Sequence, residues 1–198
     1  ARALADRAEG RASLAHLARE SHASFDATAD ARLAVVATSE ADLAQRLRAA
    51  ADRVDAGTAF SLPGGTHFAT GPALGPVAFL FPGQGSQYVG MGTALAQSFD
   101  TAISAWDDAR TAGIDAHGTV FPRPVFSDAD RTAQTAHLTA TDNAQPAIGV
   151  ASMATLRMLQ SVGLEAAQVG GHSYGELTAL HAAGALSTAS FLSASAER

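Results

Sequence analysis

The chain has 198 residues, enough for one large domain or two small ones, and its 47% hydrophobic and 16% charged composition can build a substantial core. A formal net charge of −6, with no concentrated lysine or arginine, argues against a nucleic-acid face or an anionic-membrane surface. The absence of cysteine removes disulfides, thiolate catalysis and cysteine-based zinc sites, and no apolar run reaches transmembrane length, so the expectation is a soluble, cytoplasmic protein.

Residues 2–20 are rich in Ala, Leu and Arg and predict helix, and Arg32 to Thr38 reads as a short buried strand. Ser39, with Asp42 three residues later, predicts a helix N-cap with a box-like partner. Leu43, Leu47, Ala50 and Val54 then recur at helical spacing, while Arg46, Arg48 and Arg53 point elsewhere. The Pro63-Gly64-Gly65 turn inside residues 61–70 fits a hairpin. Nothing in this stretch is catalytic. It reads as a small α+β module over residues 1–75, closed by the Gly-Pro steps at Gly71-Pro72 and Gly75-Pro76.

From residue 76 the pattern alternates strands with helices, which predicts an α/β layer fold with parallel strands. Val77 to Phe81 reads as a strand buried on both faces, followed by the turn Pro82-Gly83-Gln84-Gly85-Ser86-Gln87. This turn is no dinucleotide loop, because G-x-G-x-x-G from Gly83 would need glycine where Tyr88 stands. Thr93 to Ala112 reads as helix with an interruption near Phe99. Residues 143–162 are apolar on most sides, a central helix ended by Gly163. Ala167 to Gly170 forms the strand that feeds Gly171-His172-Ser173-Tyr174-Gly175, and Tyr174 to Ala183 the helix that leaves it.

Gly171 to Gly175 has the G-x-S-x-G form of a nucleophile elbow, where small neighbours let a serine project from a sharp strand-to-helix turn. Ser173 would then face a ligand at a helix N-terminus, whose unpaired N–H groups and dipole favour developing negative charge. A second glycine turn, at 83–85, would bring another backbone N–H to an oxyanion. Together they point to acyl transfer. His172 is adjacent to Ser173, so its ring should point away and serve packing or hydrogen bonding rather than act as base. His181 is too far down the helix to be the base, and Glu176 in its first turn is structural support. The histidines at 16, 22, 67, 117 and 137 have no partner spacing, and no metal constellation is present.

Phe81 to Gln87, then Gln145-Pro146-Ala147, then Gly171 to Glu176, in that order and spacing, resemble the acyltransferase domain of type I polyketide synthases. That family is related to the malonyl-CoA:acyl carrier protein transacylases. The resemblance covers residues 77–198, the first part of such a domain, and residues 12–72 resemble the linker module between ketosynthase and acyltransferase. Tyr174 in the elbow is similar to iterative enediyne and polyunsaturated-fatty-acid synthases. The resemblance implies an α/β-hydrolase-like core with a parallel sheet and nucleophile elbow over 76–198, preceded by the linker module.

It also implies roles. Ser173 takes the acyl group as an ester, and the backbone N–H groups of Gln84 and Tyr174 hold the oxyanion. Arg198 pairs with the free carboxylate of a malonyl group, for which a guanidinium fork suits better than lysine. Gln145, His172, Gly171 and Gly175 support the site, with Gln145 bracing the oxyanion side. Malonyl-CoA is the implied donor and the phosphopantetheine thiol of an acyl carrier protein the acceptor, with a ketosynthase as neighbour and no resident cofactor or metal. The family's general-base histidine and its ferredoxin-like subdomain would lie past Arg198, so the expectation is a piece of a longer domain. The rival readings are an α/β-hydrolase esterase or thioesterase, and a non-catalytic acyltransferase-like scaffold in a megasynthase.

Overall fold

The computed structural model describes every residue except Ala27, Ala73, Leu74 and Arg198. The chain forms two compact units, Ala1–Gly75 and Pro76–Arg198. Among the described residues no helix is long and apolar enough to cross a membrane.

The first unit opens with helices α1 (Arg2–Ala8) and α2 (Leu14–Ala23) rather than one continuous helix. The break falls at Gly10 to Ser13 because Ser13 starts a new helix, its hydroxyl accepting from the His16 N–H at 3.3 Å. Strand β1 (Ala31–Val35) leads to α3 (Glu40–Asp55), then β2 (Phe60–Leu62) and β3 (Thr66–Thr70) make the hairpin at Gly64 and Gly65. The sheet is antiparallel in the order β1-β3-β2. Among the described residues β1 is an edge strand that pairs with β3 alone, and it is half-buried where a buried strand was expected.

The Ser39 hydroxyl caps α3 by accepting from the Asp42 N–H at 3.1 Å. The Asp42 carboxylate reaches back to the Thr38 N–H at 3.0 Å, one residue earlier than a standard capping box. That N–H, and then Arg46, hold the Asp42 carboxyl below its ordinary range. Leu43, Leu47 and Ala50 lie in the core with Ala5, Ala8 and Leu17. Arg48 and Arg53 of α3 are exposed, Arg48 pairing with Glu9 at 2.6 Å and Asp6 at 2.9 Å, while the half-buried Arg46 donates to the Gly64 carbonyl of the hairpin at 2.6 Å.

The second unit contains β4 (Ala78–Phe81), α4 (Thr93–Ser98), α5 (Asp100–Thr111), α6 (Ala116–Val120), α7 (Asp128–Thr139), α8 (Thr141–Ser161), β5 (Gln168–Gly171), α9 (Gly175–Ala182) and α10 (Thr188–Ala196). It is a mixed α/β fold with helices packed around a parallel strand pair. Phe99 separates α4 from α5 with extended dihedrals, φ −135° and ψ 119°. Helix α8 is central: Ala144, Ala147, Ile148, Val150, Met153 and Ala154 are all buried, packed with Trp106, Val120, Leu138 and Phe191. Burying Met153 or Phe191 contributes roughly 1.5–3 kcal/mol each by removing apolar surface from water. Arg157, one of the polar residues of α8, turns its guanidinium to Asp108 at 2.6 Å and Ser104 at 2.9 Å.

Strand β4 departs from expectation. Only Phe81 is buried, and Leu80 is 82% exposed, because among the described residues β4 pairs with β5 alone and helices cover one face.

Candidate active site

Parallel pairing decides where the two motif turns meet. Phe81 of β4 stands opposite Gly171 of β5, so both strands finish at the same edge and their following turns emerge side by side. The His172 N–H extends the ladder by donating to the Phe81 carbonyl at 3.1 Å.

Glycine is required on both sides of the serine by contact with backbone, which cannot yield. A Cβ on Gly171 would lie 2.1 Å from the Gly175 carbonyl carbon and oxygen. A Cβ on Gly175 would lie 2.1 Å from the Phe81 carbonyl oxygen. The turn they permit is sharp enough to drive Ser173 to φ 55°, and among the described residues it is the sole non-glycine with positive φ. That conformation costs about 1–2 kcal/mol for an L-residue. Ser173 is exposed, and among the described residues its hydroxyl has no hydrogen-bond partner.

The glycine turn after β4 closes on itself. The Ser86 hydroxyl donates to the Gly83 carbonyl at 2.9 Å, and the Gly85 N–H donates to Gln87 Oε1 at 2.7 Å. Gly85 adopts φ 106°. Gly83 presses on the elbow: a Cβ there would meet the His172 carbonyl oxygen at 2.5 Å and Ser173 Cβ at 3.0 Å. The next residue, Gln84, has a backbone N–H with no partner among the described residues. Its side chain donates to Thr141 Oγ1 at 3.2 Å and accepts from Gln145 Nε2 at 3.3 Å. Gln145, on the first turns of α8, therefore braces the glycine turn. Its own Oε1 is buried with no partner among the described residues.

The helix after the serine offers fewer donors than a bare N-terminus would. The N–H groups of Gly175, Glu176 and Leu177 bond to the carbonyls of His172, Ser173 and Tyr174 at 2.9, 3.1 and 3.0 Å. They are engaged within the turn, which corrects the expectation of several unpaired amides there.

Tyr174 is 1% exposed, and its hydroxyl lies 2.6 Å from Ser195 Oγ on α10. His172 is exposed, and its backbone N–H and carbonyl bond to Phe81 and Gly175. Glu176 is also exposed. The His181 Nδ1–H donates to the Leu186 carbonyl at 3.0 Å and the ring stacks on Phe191 at 5.0 Å, tying α9 to α10. Among the described residues no group of metal-ligating side chains comes together. Arg198 lies outside the described residues.

An apolar groove of about 430 Å³ runs beside β4, lined by Leu80, Phe81, Ser86, Tyr88, Leu95 and Leu156 among others. Ser173 does not line it, but Phe81 and Pro82, whose carbonyls abut Gly175 of the elbow, do.

Sequence reasoning missed Ser195 and Gly149. A Cβ on Gly149 would sit 2.2 Å from the Tyr174 hydroxyl oxygen and 2.9 Å from Phe191 Cζ. The one signal was a glycine within an apolar helix, which often marks a close approach.

Residues 78–198 match the family described as acyl transferase domain. The malonyl CoA-acyl carrier protein transacylase of Bacillus subtilis (strain 168) is 40% identical over 115 residues, 58% of this chain and 33% of that protein. The mycoketide-CoA synthase of Mycobacterium tuberculosis is 38% identical over 118 residues, 60% of this chain and 3% of that protein. Among solved structures, the acyltransferase domain from the second module of the salinomycin polyketide synthase is 31% identical. It covers 98% of this chain and 42% of that one, with a TM-score of 0.65. The acyl-carrier-protein-S-malonyltransferase of Bartonella henselae is 37% identical at a TM-score of 0.52, covering 60% of this chain and 36% of that one. The chain thus spans about a third of the length of the transacylases it matches. A serine on a strained elbow, a glycine turn pressed against it and a family match over more than half the residues agree: this chain belongs to the acyl transferase domain family.

Proposed function

We propose that the protein moves a malonyl-type group from malonyl-CoA to the phosphopantetheine thiol of an acyl carrier protein, within a type I polyketide synthase. Ser173 Oγ attacks the thioester carbonyl, its proton passes to a general base, and the collapse of the tetrahedral intermediate releases CoA thiol and leaves a seryl ester. The carrier thiol then attacks that ester and Ser173 regains its proton. The backbone N–H groups of Gln84 and Tyr174 are the proposed oxyanion donors, and Arg198 the proposed partner of the malonyl carboxylate. The general base is proposed to be the histidine that the family places further along the chain than Ser173.

The observation that carries this reading is the contact of Gly83 with Ser173, which seats a second strand-end turn beside the serine. Residues 1–75 are proposed as the ketosynthase-to-acyltransferase linker module. The salinomycin acyltransferase match supports this, since it extends over 98% of the chain. Tyr174 in the elbow favours the iterative enediyne or polyunsaturated-fatty-acid class of synthase.

The test is incubation of the intact protein with malonyl-CoA, followed by peptide mass spectrometry with and without a carrier protein. A malonyl ester on Ser173 that moves to the carrier is expected. Rapid release of free malonate without a carrier would assign a hydrolase instead, and an unmodified Ser173 would assign a non-catalytic scaffold. Arg198→Ala should weaken malonyl loading and spare uncharged acyl groups; unchanged malonyl loading would remove Arg198 from the site.

A further inference from the structure

The residue beside the serine is anchored through its side chain to α10 and packed against α8. The Ser195 hydroxyl donates to the Phe191 carbonyl at 2.8 Å, so its oxygen is the acceptor for the Tyr174 O–H at 2.6 Å. Tyr174 and Ser195 are 1% and 3% exposed, so water does not compete for this relay. The hydroxyl fits only because α8 carries glycine at 149, where a Cβ would come within 2.2 Å of it. Space on α8, an acceptor on α10 and a phenol on the elbow therefore form one unit.

We infer that Tyr174 is a positioning residue: its buried O–H→Ser195→Phe191 carbonyl relay, seated against Gly149, fixes the backbone N–H next to Ser173. This rests on the proposed function, in which that N–H is an oxyanion donor. The physical reason lies in the demands on such a donor, which must stand 2.7–3.1 Å from where the oxyanion forms. Elbow backbone under strain, as Ser173 is at φ 55°, relaxes unless its surroundings over-determine it. A phenol held at its far end restrains the Cα and the amide of the same residue, because the ring between them is rigid. Tyr174 thus acts from behind the elbow and does not reach the acyl chain.

The experiment compares Tyr174→Phe, Ser195→Ala and the double variant in the intact protein. Two rates are read: acylation of Ser173 by malonyl-CoA, and labelling of Ser173 by a fluorophosphonate, which uses the elbow but no malonyl carboxylate. Each single variant should slow both reactions about tenfold with KM for malonyl-CoA unchanged, since only transition-state alignment is lost. The double variant should be no slower than either single one, and Ser195→Thr, which keeps the hydroxyl, should recover most of the rate. Rates within about twofold of wild type, alongside a lowered thermal midpoint, would make the relay a packing feature and overturn the proposal. If wild type takes the fluorophosphonate but not malonyl-CoA, the acyltransferase reading fails while the variants still decide the relay by labelling. A Ser173 inert to both reagents overturns both.

Discussion

Gly83 and Ser173, 90 positions apart, touch so closely that a methyl group on Gly83 would lie 3.0 Å from Ser173 Cβ and 2.5 Å from the carbonyl oxygen of His172. The glycine turn is thereby set against the elbow with no side chain between them. Gly83 does not need glycine for its dihedrals, since its φ is not positive. Its requirement is purely one of space.

Gly83→Ala should therefore push the turn carrying Gln84 off the elbow. Acylation of Ser173 should fall about a hundredfold, the cost of roughly 1 Å of misplacement. Stability should fall by about 1–3 kcal/mol, as for other overpacked sites. Rapid-quench acylation and urea unfolding measure the two. A full-rate Gly83→Ala variant would mean that the turn plays no part in the chemistry.

Ser173→Gly and Ser173→Ala both remove the proposed nucleophile, yet they should differ in stability. Glycine accepts φ 55° freely and alanine does not, so the glycine variant should be more stable by about 1 kcal/mol. Thermal unfolding of the pair reads this. Equal midpoints would indicate that the elbow relaxes once the hydroxyl is gone.

Gln84→Ala keeps the backbone N–H and loses only the side-chain bonds to Thr141 and Gln145. Acylation should drop less than about tenfold, against the 10²–10³ expected on loss of an oxyanion donor. Should Gln84→Ala be as slow as that, the donor is the side-chain amide. Gln145→Ala removes the brace together with an Oε1 that has no partner among the described residues, so stability should change by no more than about 1 kcal/mol.

Gly149→Ala places a Cβ 2.2 Å from the Tyr174 hydroxyl oxygen and should destabilise the second unit by about 1–3 kcal/mol. Adding Tyr174→Phe removes the offending oxygen, so the double variant should be more stable than Gly149→Ala alone. Additive losses in thermal unfolding would place the strain at Phe191, whose Cζ stands 2.9 Å from the same point.

The first unit should weaken in acid. Arg48 holds the Glu9 carboxyl below its ordinary value through a hydrogen bond, and Arg7 does the same for Glu20. A depressed carboxyl stabilises the fold above its unfolded pKa and loses that contribution as pH falls through the folded one. Urea midpoints should decline between about pH 5 and pH 2, and Arg48→Met should flatten part of the decline. The pair is about half exposed, with side chains 46% and 50% accessible, so salt should shrink the effect. An unchanged pH profile in Arg48→Met would remove the pair from the account.

Much of this architecture was legible residue by residue. The Ser39 cap, the break at Phe99 and the Gly163 stop are local events, settled by side-chain hydrogen bonds and allowed dihedrals within a few positions. The three motif segments marked the candidate site as well, because a nucleophile elbow needs its glycines at set positions. Residues 2–20 are helical as read except between Ala8 and Leu14, where Ser13 offers a cap that composition does not weigh. The burial of β4 was misjudged for a different reason. An apolar run states what a strand can tolerate on its faces, and Leu80 shows that tolerance differs from coverage.

By itself, then, the order of residues determined the Ser39 cap, the break at Phe99 and the glycine spacing of the elbow, and it pointed to acyl transfer. Only the tertiary structure decided that Gly83 meets Ser173, that Gln145 braces Gln84, and that Tyr174 hangs from Ser195 over Gly149. The division is physical: backbone conformation responds to neighbours a few residues away, while these contacts depend on which strand ends share an edge and which helices leave room for a phenol.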